Sequence, residues 1–254
     1  MDTPALQRKI VEALGMVPVR CPDPVGPTSG VASAAGPLNG DTSAPPLRLA
    51  VLGDSTVMGV GTPSTPEGLA GELATALAEV SGRPVQWRAT FFAGATMRHV
   101  ATDLVPGLSE AREPHVIVVS AGVNDLIRLH RRSTFRQDLQ LLLDSARASL
   151  PRSVVVFGGM PPTHLAPALP VVLARFVGHR ARLFDLETMA MTGQRHVAFL
   201  PLRALEFGPE CFAEDGFHPN EHGYRLWARH VAPTVYAALA VSAASGDWDP
   251  DLIT

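Results

Sequence analysis

Five apolar runs with strand character punctuate the chain: LRLAVLG (47–53), PVQWRATF (84–91), HVIVVSAG (115–122), SVVVFGG (153–159) and HVAFLPL (196–202). The first, third and fourth show no alternation of apolar and polar positions, the pattern of strands covered on both faces. Between them lie stretches whose apolar residues recur at helical spacing, among them PEGLAGELATALAEV (66–80) and STFRQDLQLLLDSARASL (133–150). NEHGYRLWARHVAPTVYAALAV (220–241) reads as a closing helix. Alternation of strand and helix predicts an α/β fold. We expect a three-layer α/β/α sandwich around a central parallel sheet of about five strands, linked by right-handed crossovers.

Ahead of the first run the pattern breaks down. Thr3-Pro4 can open a short helix with Leu6, Ile10 and Leu14 on one face. CPDPVGPTSGVASAAGPLNGDTSAPP (21–46) has linker composition, for which little regular structure is expected. The expected organisation is therefore an N-terminal extension over 1–46, a compact domain over 47–243 and a tail over 244–254.

Composition narrows the function classes. A net charge of −3 offers no electrostatic case for binding nucleic acid or an anionic membrane. Lys9 is the one lysine among 21 basic residues, so none lies near a candidate phosphate site. Cys21 and Cys211 are the two cysteines, far apart and without metal-ligand spacing, which suits a reduced pair, with a single disulfide as the alternative. The N-terminus lacks a basic region followed by an apolar run, and no uncharged apolar stretch reaches the roughly 18 residues of a membrane helix. A cytoplasmic protein without stable membrane insertion is the expectation; oligomeric state is not legible.

Ligands in open parallel sheets bind beyond the carboxyl ends of the strands. Ser55 follows the first strand, Gly94 the second and Asn124 the third, while Asp215 and His218 follow the fifth. Acyl transfer needs a serine hydroxyl, a histidine to take its proton, a carboxylate to hold that histidine, and donors aimed at the oxyanion. Asp215 and His218 are three residues apart in a Gly- and Pro-containing segment, so one tight turn can join them. Ser55 and Gly94 can offer backbone N–H groups, and Asn124 a side-chain NH₂.

These blocks resemble those of the SGNH hydrolases, the GDSL esterase/lipase family. Gly53-Asp54-Ser55, Gly94, Gly122-Val123-Asn124-Asp125 and Asp215-Gly216-Phe217-His218 match the family's four blocks in order, across about 47–241. The resemblance implies a flavodoxin-like sheet and a serine esterase acting on small carboxylic esters through an acyl-enzyme. It casts Ser55 as nucleophile, His218 as base and Asp215 as its partner, with Ser55, Gly94 and Asn124 forming the oxyanion hole. It implies no cofactor and no metal. Thr56 stands where the family often has leucine. Met58, Phe92, Leu126, Met160 and Phe217 are the candidates for a substrate pocket, being close in sequence to these blocks.

Other readings compete. Ser55 could cap a helix, and Asn124 and Asp125 could be turn residues. HPNEH (218–222) matches a zinc-peptidase pattern, but Pro219 takes His218 out of helical geometry. RLHRRSTFR (128–136) reads as a solvated helix end, or alternatively as a site for an anionic part of the substrate. Acyl transfer to an alcohol uses the same intermediate. A catalytically silent binding module could keep the same scaffold, and an Asp54 or Asp125 phosphoacceptor lacks the lysine it would need.

Overall fold

A computed structural model describes residues 21–33, 45–108 and 113–246. The expected Leu6–Leu14 helix and most of the expected tail lie outside these residues. Six strands form one sheet: β1 (Ser29–Ala32), β2 (Leu47–Gly53), β3 (Val85–Phe91), β4 (Val116–Ser120), β5 (Val154–Gly158) and β6 (Val197–Leu200). Their spatial order is β1-β3-β2-β4-β5-β6, and every pairing is parallel except β1 with β3. The helices are α1 (Ser55–Met58), α2 (Leu69–Ser81), α3 (Met97–His99), α4 (Val123–Ile127), α5 (Arg132–Ser149), α6 (Val171–Met189) and α7 (Glu221–Ala244).

Period-2 geometry explains why the uninterrupted apolar runs sit at the centre. In β2, Leu49 and Val51 face one core with Leu73 and Leu77 of α2 and Trp227 and Val231 of α7. Ala50 and Leu52 face the opposite core, with Leu139 and Leu142 of α5 and Phe184 of α6. Each face buries its own helix layer, so a strand between two layers can spare no polar position.

The sixth strand is the principal departure from expectation. Ser29–Ala32 falls in the Pro/Gly/Ala-rich stretch, yet it pairs antiparallel with β3, Ser29 opposite Arg88 and Ala32 opposite Val85. Such a stretch lacks an apolar pattern of its own and takes its conformation from the unpaired edge it covers. Trp87 contributes too, since a Cβ on Gly30 would sit 3.1 Å from its indole Nε1. Upstream, the Val25 N–H donates to the Pro63 carbonyl (3.2 Å) and the Thr65 N–H to the Val25 carbonyl (3.0 Å).

Topology also chooses the site. From β2 the chain crosses first to β3 on one side and then to β4 on the other, so β2 is where the winding reverses. Gly53 lies opposite Phe91 of β3 and Ser120 of β4. The loops leaving these three strands diverge at one edge and open a crevice over the end of β2.

Candidate active site

Gly53 ends β2 so close to β4 that a Cβ there would lie 1.9 Å from the Ser120 carbonyl oxygen. Asp54 then turns the chain into α1. Its Oδ1 accepts from the Thr56 N–H and the Thr56 hydroxyl, both at 3.0 Å, and so caps the helix. Thr56 Oγ1 also lies 3.0 Å from Ser120 Oγ, which accounts for a threonine at this buried position. Asp54, rather than Ser55, is the cap, and the serine side chain is left to face the crevice.

Ser55 Oγ lies 2.9 Å from His218 Nε2, and His218 Nδ1 lies 2.6 Å from Asp215 Oδ2. The second contact is local. Asp215 Oδ1 accepts the backbone N–H groups of Phe217 and His218, both at 2.9 Å, in a tight turn whose Gly216 has φ +63°. Burial works to raise the Asp215 carboxyl, but the His218 bond and charge and the two N–H donors outweigh it and hold the carboxyl below its usual range. His218 thus points across the sheet edge rather than along a helix with His222, as the proline in HPNEH requires.

Two further groups support the loop. The Ala168 N–H donates to the Gly216 carbonyl at 3.0 Å. Cys21 is buried against Asp215 and interacts with both its backbone and its carboxylate; burial foremost raises its thiol. Both cysteines are free. Nothing in the sequence pattern signalled the pairing of Cys21 with Asp215, because it depends on how the first described segment folds back.

Gly94 occupies the turn after β3 with φ +82°. Among the described residues its N–H and that of Ser55 have no hydrogen-bond partner. Asn124, 3% exposed, donates from Nδ2 to Asp54 Oδ2 (3.0 Å) and to the Ala95 carbonyl (3.1 Å), tying the first three blocks together. Burial pushes the Asp54 carboxyl up, against the pull of the Thr56 donors. Asp125 is fully buried. Its Oδ2 accepts from the Met97 N–H at 3.0 Å and its Oδ1 lies 2.8 Å from His130 Nδ1. The bond to Asp125 is the main cause that raises His130, and partial desolvation opposes it.

The crevice beside Ser55 is lined by Val123, Asn124, Pro161, Pro162, Thr163, Phe207, Phe212, Phe217 and Trp227. Of the five sequence candidates for the pocket, Phe217 alone lines it. Leu126 and Met160 are 2% and 4% exposed and belong to the core on the α5 side of the sheet. Phe92 is exposed and stacks on His99 with ring centroids 5.9 Å apart, and Met58 is half-buried at the end of α1. Nearness in sequence to a candidate block misled here, since one residue along a strand reverses the face a side chain joins and one along a helix turns it by about 100°. Pro161, Pro162 and Thr163 were missed, although they directly follow Met160.

In the basic run 128–136, Arg132 and Arg136 pair with Glu187 of α6, and Arg128 donates to the Gly94 carbonyl at 3.4 Å. A group able to hold a metal, among the described residues, is Asp125, His130 and Asp138, within 4.8 Å of one another. Its carboxylates already face the Met97 N–H, His130 and the Arg98 guanidinium, 2.5 Å from Asp138.

A model of the GDSL-like Lipase/Acylhydrolase family matches residues 51–226. The chain belongs to this family. It is 30% identical over 189 residues to a GDSL-like esterase of Mycobacterium tuberculosis, a match covering 72% of this chain. The match spans 59% of the relative's length. Among solved structures, a family 3 carbohydrate esterase of Clostridium thermocellum superposes with a TM-score of 0.62 at 18% identity, over 78% of this chain and 100% of that one. A salicylyl-acyltransferase from a tetracycline biosynthetic pathway superposes at 0.58 and 17%, over 78% and 56%. These superpositions establish the shared three-layer fold.

Proposed function

We propose that this GDSL-family chain is a serine esterase that hydrolyses small carboxylic esters through an acyl-enzyme. The observation that carries the reading is the unbroken relay from Ser55 Oγ through His218 to Asp215, at 2.9 and 2.6 Å. Ser55 Oγ attacks the ester carbonyl while His218 Nε2 takes its proton. Asp215 holds Nδ1–H, fixing the tautomer and stabilising the imidazolium that forms. The oxyanion develops beside the unpartnered N–H groups of Ser55 and Gly94. Asn124 supplies a third donor by sharing the Nδ2–H that rests on the Ala95 carbonyl. The tetrahedral species collapses, His218 protonates the departing alcohol, and a water activated by the same histidine releases the acid. Walls of Val123, Pro161, Pro162 and Phe217 favour a short acyl group.

Labelling with a fluorophosphonate probe, alongside p-nitrophenyl acetate hydrolysis, tests the assignment. The native chain should be labelled at Ser55 and turn the ester over; Ser55→Ala should do neither while melting at the native temperature. Retention of turnover by Ser55→Ala would exclude the mechanism, and an unlabelled, inactive native chain would favour a binding role. Acyl transfer employs the same groups, and formation of a new ester when an alcohol is added distinguishes it.

A further inference from the structure

Helix α6 buries Ala174, Ala181 and Phe184, yet it carries a second set of apolar residues on the side that faces solvent. Val171, Val172, Phe176, Leu186 and Met189 are all exposed, Val172 at 82% and Leu186 and Met189 each at 50%. Interspersed on the same exposed face are Arg175, His179 and Arg182. Both carboxylates of the helix turn inward instead: Asp185 accepts the Met160 N–H at 2.8 Å, and Glu187 pairs with Arg132 and Arg136. The outer face of a 19-residue helix is therefore apolar and basic, with no acid. Solvent-facing helix positions ordinarily hold the reverse, and a contiguous apolar patch of this kind marks a docking surface.

The patch continues to the mouth of the crevice. Pro161, Pro162 and Thr163 form part of its wall, exposed Leu165 comes two residues later, and the segment then enters α6 at Val171. Partial desolvation, and after it the charges of Arg182 and Arg203, depress His164 in this segment. The overall charge of −3 averages this local excess away.

We propose that the outer face of α6 docks the protein peripherally on an anionic phospholipid surface. Val172, Phe176, Leu186 and Met189 enter the boundary between headgroups and acyl chains, while Arg175, His179 and Arg182 meet the lipid phosphates. Charge decides between this occupant and a second copy of the chain. A two-fold dimer through the same face would set arginines against arginines. Among the described residues no helix is long and apolar enough to cross a membrane. That the docked crevice faces lipid-borne esters rests on the esterase reading; the docking itself does not.

Co-sedimentation of the full chain with sucrose-loaded vesicles tests it. The native chain should bind vesicles containing phosphatidylglycerol, should spare those of phosphatidylcholine alone, and should dissociate as salt is raised. Arg175→Gln with Arg182→Gln should weaken binding about 25-fold, roughly fivefold per charge removed. Phe176→Ser should weaken it with the salt dependence retained. Both variants should hydrolyse soluble p-nitrophenyl acetate as the native chain does, so a failure of docking is separable from a failure of the esterase assignment. No binding to phosphatidylglycerol at low salt, equal binding to both vesicle types, or native affinity in the variants would overturn the proposal. So would a dimer, seen by light scattering, that Phe176→Ser dissociates.

Discussion

Asp185 gives a stability prediction that can be worked from its surroundings. It is 8% exposed, on the buried side of α6, with Oδ1 on the Met160 N–H. Burial lifts its carboxyl from 3.8 to about 6, against the opposing pull of that N–H and of Arg203. Between those two values the folded chain keeps a proton that the unfolded chain has lost. Stability therefore falls as pH rises through the window from about 4 to 6 and stays lower above it. A rise of about two pH units corresponds to about 3 kcal/mol. Asp185→Asn retains an oxygen for Met160 and removes the ionisation, while its amide nitrogen recovers less than a full hydrogen bond. The expected gain near neutral pH is about 2 kcal/mol, or about 4–8 °C in Tm for a domain of this size. Thermal melts from pH 4 to 8 measure it: the variant should gain at the neutral end and match the native chain near pH 4. If both chains melt in parallel across the range, or the variant melts lower at neutral pH, the carboxyl is not perturbed as argued.

Asp215→Asn should lower kcat about ten-thousandfold, because the amide presents the wrong partner to His218 Nδ1. Steady-state kinetics at neutral pH, with a melt to verify folding, tests this. Asp125→Asn should destabilise the chain by about 1–3 kcal/mol, since the Met97 N–H and His130 share that one carboxylate. His130 is raised in the folded state, so its contribution is present at low pH and is lost as pH climbs through the folded pKa. Urea titrations should accordingly show a larger penalty on the acid side, and an NMR titration should find the imidazole of His130 nearer its ordinary value in the variant.

The catalytic candidates were legible because each is a strand-end residue in a short polar block, and strand ends in a parallel sheet share one edge. Asp215 and His218 were the simplest to join, being three residues apart in a turn. The pocket was not legible: Leu126 adjoins the third block and Met160 follows β5, yet both face the core, whereas Pro161 to Thr163 carry no pattern marking them as a wall. Asp125 could be read as a turn residue and Asp54 only as a rejected phosphoacceptor; both are buried acceptors, Asp54 for the Asn124 amide and Asp125 for the Met97 N–H. Residues 21–33 misled most. Their Pro, Gly and Ala content is real linker chemistry, but the open edge of β3 and the space beside Asp215 recruit them.

By itself the sequence determined the layered α/β architecture and the central strands, because hydrophobic periodicity is a local property that either matches a two-sided sheet or does not. It also singled out Ser55, Asp215 and His218 as candidates for one site, and their side chains lie 2.9 and 2.6 Å apart in series. Tertiary structure alone decided which side chains wall the crevice, that Cys21 backs Asp215, and that α6 presents valine, phenylalanine and arginine outward. Those outcomes depend on which faces of distant elements meet, and burial is settled jointly by the whole chain rather than by any stretch of it.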